Sequence, residues 1–174
     1  MKYRLIPFLI AIIIITVSCN QTTETNTESS NSSTSNNTGG SSEEELNFIF
    51  PKGQKGPDKN FTGNAYNIGL VTDTTLTTIV GNVYFEPGAR SNWHTHAGGQ
   101  ILVITDGVGY HQVEGQPIQV IKKGDAVTCP PNTRHWHGAS HDTGLQQMYI
   151  VPNIEKGVVD WMEAVTDEVY DQAK

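Results

Sequence analysis

Gly88-Ala-Arg-Ser-Asn-Trp-His-Thr-His-Ala-Gly-Gly-Gln-Ile-Leu-Val-Ile-Thr-Asp-Gly107 is the stretch that decides how the rest of the chain reads. His94 and His96 stand two residues apart, and in a strand residues i and i+2 point to the same face. Two imidazoles can therefore aim at one point. Ala97-Gly98-Gly99 permits a tight turn, and Gln100 opens the next apolar run with an amide oxygen able to return to that point. A second stretch, Gly124-Asp-Ala-Val-Thr-Cys-Pro-Pro-Asn-Thr-Arg-His-Trp-His-Gly-Ala139, delivers His135 and His137, again two apart, after the stiff Pro130-Pro131 pair. Three imidazoles (His94, His96, His135) and the Gln100 oxygen suit a first-row divalent ion with one or two positions left for water or substrate. A strand running on past His135 turns His137 to the same face, where a near-neutral imidazole is a candidate general base.

Outward from these stretches the chain reads as short β-rich runs between turn residues. Leu76–Phe85 is broken by Glu86-Pro87-Gly88. Gln100–Thr105 ends at Asp106-Gly107. Val108–Val113 and Pro117–Ile121 flank a hairpin signal at Glu114-Gly115, and Ala126–Cys129 and Leu145–Val151 follow. Many short strands without long helical periodicity predict an all-β sandwich or barrel in one domain. The tail is expected to hold a strand to about Val165, then a short C-terminal helix from Asp167 with Thr166 as its N-cap.

The spacing also resembles a known family. Gly88, five residues, His94-Thr95-His96, three residues, Gln100, six residues, Gly107 follows the first cupin motif, with Gln100 where glutamate is usual. Gly124, five residues, Pro130, then His135 follows the second, with Asn132 in place of the usual glycine and Ala139 in place of the usual asparagine. The resemblance covers residues 76–151 and implies a single-domain cupin: a jelly-roll, or double-stranded β-helix, barrel. Trp93-His94-Thr95-His96, Gly99-Gln100 and Arg134-His135-Trp136-His137-Gly138-Ala139 resemble in particular the small manganese cupins that include bacterial hydroxynitrile lyases. That likeness implies His94, His96, Gln100 and His135 as ligands of Mn2+, with Fe2+ next and Zn2+, Ni2+ or Cu2+ also compatible. Glutamine in place of glutamate leaves the site one charge more positive, which favours Lewis acidity. The likeness also implies His137 as the base, a small hydroxyl or carbonyl compound as substrate, and a homodimer or homotetramer. The lyases carry a further histidine twelve residues beyond the last ligand, where this chain has Gln147.

The N-terminus carries an address. Lys2 and Arg4 precede the apolar run Leu5–Val17, too short to span a bilayer as a helix, which needs about 20 residues. Thr16-Val17-Ser18-Cys19-Asn20 resembles a bacterial lipoprotein signal. That likeness predicts a signal peptide at 1–18, lipidation of Cys19 and anchoring at the cell envelope. Residues 19–46, rich in Ser, Thr, Asn and Glu, read as a tether. The folded domain is expected at 47–174. The whole chain carries a net charge of −7, and removing the two basic residues of the signal makes it more acidic, which repels phosphate backbones and excludes nucleic acid as a partner.

Of the two cysteines, Cys129 would have no partner once Cys19 is acylated, so it reads as a small buried residue. His111 reads as an exposed or hydrogen-bonded hairpin residue, and His141 as a loop residue. Trp93 and Trp136 read as packing around the site. Arg90 reads as a solvated loop arginine, or as an anion-binding residue at the barrel mouth. Three function classes fit: a metal-dependent lyase or isomerase, an iron dioxygenase on the same ligands, and a non-catalytic module that binds a small ligand or a metal.

Overall fold

Strands dominate the residues that the computed structural model describes, Leu46–Lys174; the expected signal peptide and nearly all of the tether lie outside them. In chain order the strands are β1 (Gln54–Lys55), β2 (Phe61–Thr62), β3 (Ala65–Val71), β4 (Thr78–Phe85), β5 (Arg90–Ser91), β6 (His94–Thr95), β7 (Gln100–Val113), β8 (Gln119–Lys122), β9 (Ala126–Cys129), β10 (His135–Ala139), β11 (Leu145–Pro152) and β12 (Asp160–Trp161). A single turn of helix, α1 (Asp167–Tyr170), follows. All pairings are antiparallel. One sheet runs β1-β3-β4-β11-β7-β9. The other joins β8, β7 and β10, with β5 and β6 on β10, β2 on β5 and β12 on β6. This is the all-β architecture expected from the motifs.

Strand β7 belongs to both sheets. Its first half pairs with β11 and β9, and its second half with β8 and β10. Asp106-Gly107, read from sequence as the end of a strand, is instead the corner inside a single 14-residue strand. The register against β11 shifts there, Gln146 facing Asp106 and Gln147 facing Ile104. Such a bulge bends a strand and raises its twist. Gly107 has φ +80°, a conformation that suits glycine. A turn-forming pair therefore bends the ladder without breaking it, because partners hold the strand on both sides of the corner.

The interior follows the pleat. Val83, Phe85, Leu102, Ile104, Ile121, Val127, Cys129 and Leu145 are buried in one cluster, with Phe61 packed against it. Each large aliphatic or aromatic side chain removed from water there contributes roughly 1.5–3 kcal/mol. A second cluster joins Trp93, Tyr110, Trp136, Val165 and Tyr170, which seats the C-terminal helix on the outside of β10. Thr166 caps α1 through its Oγ1, which accepts from the Val169 N–H, as expected. The strand expected up to Val165 is only the two-residue β12; beyond it the chain runs extended to the cap. Cys129 is buried, and burial pushes its thiol up to about 12, the inert state expected of it.

Candidate metal centre

Strands β6 and β10 carry the histidines to one place. His135 stands opposite His94 in the ladder, and His137 opposite His111 of β7. In β10 the odd residues face inward, while Trp136 turns outward into the second cluster. His94, His96, Gln100, His135 and His137 are all buried. Ligand nitrogens of His94, His135 and His137 lie within 4.8 Å of one another, close enough to hold a metal ion. The His96 ring stands 5.2 Å from that of His94 and 5.8 Å from that of His135. Gln100 Oε1 lies 2.9 Å from His135 Nε2.

The hydrogen bonds around the rings fix which nitrogen faces inward. Nδ1 of His94 lies 2.9 Å from the Asn92 carbonyl, and Nδ1 of His135 lies 2.9 Å from the Thr133 carbonyl. Nδ1 of His96 meets the Val158 carbonyl. A carbonyl can only accept, so each neutral ring carries its proton on Nδ1 and presents a bare Nε2 to the interior. His96 Nε2 and His137 Nε2 are buried without a hydrogen-bond partner. His135 Nε2 and Gln100 Oε1 thus face each other as two acceptors with no proton between them. Burial holds the His135 imidazole down at about 4, so the ring does not supply a second proton near neutral pH. A cation between them resolves this opposition; without one, the amide turned over lets Gln100 Nε2 donate to His135 Nε2. Two donors about 2.1 Å from one ion are also about 3 Å apart when they occupy adjacent positions. The residues fit a divalent metal on the chemistry of the donor set.

Every imidazole here is pushed toward its neutral form by burial, and His94, His135 and His137 by the neighbouring rings as well. This holds for His94 and His137, both well below the ordinary range; for His111, at about 4, burial acts alone, with a hydrogen bond to Gln119 opposing. His96 is lowered by burial too, with the Val158 carbonyl and the Asp160 charge opposing. Neutral rings are the form that binds metal.

Some neighbours were not legible in the sequence. His111 is buried on the inner face, its ring 5.7 Å from that of His135, and its Nε2 lies 3.3 Å from Cys129 Sγ. The period-two spacing of Gly109, His111 and Val113 on β7 was the available signal. Gln147 is fully buried, and its Nε2 donates to His137 Nδ1 at 2.7 Å. Trp161 lies 5.0 Å from the His94 ring. Arg90 is neither solvated nor at the barrel mouth. It is buried, donates from Nε and Nη2 to the Val165 carbonyl, and lies over the Tyr170 ring. His141 sits in a loop, bonded to Tyr110 and Asp171. Trp93 and Trp136 pack behind the ligand strands, as expected.

An antiparallel curled sheet with inward histidines from two short motifs defines a small class of β-proteins whose buried histidines could hold a metal ion. Residues 81–151 match the family described as Cupin domain. The chain is 43% identical over 117 residues to the (R)-mandelonitrile lyase of Granulicella tundricola, covering 67% of this chain and 89% of that protein. It is 45% identical to a cupin-like protein from Thermotoga maritima of known structure, with a TM-score of 0.72, covering 74% of this chain and 98% of the other. The DMSP lyase DddQ of Ruegeria pomeroyi shares the fold alone, at 16% identity and a TM-score of 0.52, over 71% of this chain and 63% of that one. The chain belongs to the cupin family.

Proposed function

We propose that this protein is a metal-dependent cupin enzyme of the lyase kind, acting on a small hydroxyl or carbonyl compound. His94, His96, Gln100 and His135 would hold the ion, manganese first and iron next. The single observation that carries this is the convergence of the buried His94, His96 and His135 rings on Gln100, whose Oε1 lies 2.9 Å from His135 Nε2. When bound, such an ion polarises a hydroxyl or carbonyl oxygen as a Lewis acid. His137 stands beside the donor set with its ring 5.1 Å from that of His94, and Phe85 packs edge-on against it at 5.7 Å. Its task is to hold or move a proton at Nε2, and the Gln147 amide decides which. With Gln147 Nε2 donating to Nδ1, as here, the neutral ring keeps its proton on Nε2 and offers it. With the amide turned over, Nδ1 carries the proton and Nε2 becomes the base. Resemblance to the (R)-mandelonitrile lyase makes a cyanohydrin the first compound to try.

The test is metal content by elemental mass spectrometry on the full chain purified without a histidine tag, with His135→Ala as control. A manganese or iron ion on each chain, lost in the control, is expected, together with cleavage of mandelonitrile. A folded protein that takes up no metal on titration would sink the assignment. Oxygen uptake needing both iron and substrate would move the chemistry to the dioxygenase kind.

We also propose that the protein is anchored to the cell envelope by lipid on Cys19 and that copies associate as dimers or tetramers. The basic start, the apolar run and Cys19 support the anchor. Labelled palmitate is expected to enter the wild type and not Cys19→Ala; an unlabelled wild type would rule the anchor out.

A further inference from the structure

The three imidazoles of the centre are not oriented alike. His94 and His135 take their Nδ1 partners from carbonyls two residues upstream, within their own loops. His96 takes its partner from Val158, 62 positions away in the segment that follows β11. That segment touches the centre repeatedly. Strand β12 pairs with β6, Asp160 against Thr95 and Trp161 against His94. The Trp93 N–H donates to the Glu163 carbonyl at 3.0 Å, and the Met162 N–H donates to the Trp93 carbonyl at 2.9 Å. Asn92, whose carbonyl orients His94, donates from Nδ2 to the Met162 carbonyl at 3.0 Å. Arg134, beside His135, pairs with Glu163.

We propose that residues 157–163 are a positioning element of the metal centre, in which the Val158 carbonyl fixes the ring of His96 and Trp161 backs the ring of His94. The inference rests on the assignment of His94, His96, Gln100 and His135 as ligands. A neutral imidazole without a partner on Nδ1 samples both tautomers and several ring planes, so only part of its population presents the lone pair that a metal needs. For His96 that selection comes from outside both histidine motifs. The conformation of the segment depends on Gly157, with φ 114° and ψ 144°, a backbone region left almost wholly to glycine. A Cβ added at Gly157 would meet nothing within 4 Å. Gly157→Ala therefore strains the backbone next to Val158 without crowding anything. Val158→Ala, at a half-exposed side chain, keeps the carbonyl.

The experiment is calorimetric titration of manganese(II) into the metal-free full chain, comparing wild type with Gly157→Ala, Val158→Ala and His96→Ala. Gly157→Ala is expected to bind roughly tenfold or more weakly, the range seen when a ligand loses its orienting partner. Val158→Ala is expected to match wild type, and His96→Ala to lose at least as much as Gly157→Ala. Unchanged affinity in His96→Ala would remove the ligand assignment itself. A weakened His96→Ala beside an unchanged Gly157→Ala would overturn the positioning proposal and leave the ligands standing. Loss in Val158→Ala equal to that in Gly157→Ala would trace the effect to side-chain packing and overturn it as well. Nitrogen NMR of the metal-free wild type gives a readout independent of how the variants fold. His96 is expected as the Nδ1–H tautomer with a slowly exchanging proton close to residue 158; the other tautomer would overturn the proposal.

Discussion

At Gly107 the chain needs a positive φ and has no room for a side chain: a Cβ there would stand 2.0 Å from the Gly144 carbonyl oxygen. Gly115, in the β7–β8 hairpin, also has positive φ, but a Cβ there would meet nothing within 4 Å. The two substitutions separate strain from collision. Gly107→Ala is expected to destabilise by more than ~2 kcal/mol, because the obstacle is backbone that cannot move aside. Gly115→Ala should cost only about 1 kcal/mol, from the torsion alone. Urea unfolding midpoints of the two variants check this; equal costs would contradict it. At this scale the pairing of the histidines was readable in advance. Period-two spacing places His94 with His96 and His135 with His137 whatever the rest of the chain does. Gln147 beside His137 was not, because their contact depends on how β11 meets β10 across the interior.

The element most dependent on one side chain is α1. Four residues form no stable helix in isolation, so it persists by docking. Arg90 supplies two donors to the Val165 carbonyl at 3.2 and 3.0 Å. Tyr170 donates from its hydroxyl to the Ala139 carbonyl at 2.7 Å. The ion pair of Arg90 with Asp167 matters less, since the carboxylate is 84% exposed and screened by water. Arg90→Met keeps most of the apolar stem and removes the donors, leaving the buried Val165 carbonyl unpaired at a cost of about 1–3 kcal/mol. Faster hydrogen exchange at the Val169 and Tyr170 amides, with the amides of β4 and β11 still protected, is the expected sign. Uniform exchange across the fold would show that Arg90 holds more than the helix. Sequence reading placed the cap at Thr166 but not the anchor, because Arg90 and Val165 are 75 positions apart.

For the whole molecule the interior cluster sets the response to acid. His111 and His135 are each held at about 4 by burial, below the 6.5 of a free imidazole. Above pH 6.5 the rings are neutral folded or unfolded, and they cost nothing. As pH falls below 6.5 the unfolded chain binds protons that the folded form refuses, so stability declines until about pH 4. The loss is on the order of 3 kcal/mol for each of these rings at the acid end. Thermal melting of the metal-free protein from pH 7.5 to 4 should show the decline within that window. Added manganese should oppose it, since an ion on the proposed ligands would need His135 neutral and would stabilise only the folded form. A melting temperature flat across the window would mean that the rings are not buried as described.

The strand-rich class, the two motifs and the shared face within each histidine pair were legible along the chain, because these depend on turn chemistry and on a two-residue period that is local. What surrounds them, and how the two pairs meet, follows from contacts between distant segments. Asp106-Gly107 is a corner and not a strand end because ladders on two sheets grip β7 from both sides. His111 is interior because the curl of the sheets brings Cys129 and the His135 ring against it. Val158 and Trp161 reach the centre because the chain returns from β11 over β6. Each of these is a long-range pairing, fixed when the barrel curls and carried by no short stretch of residues.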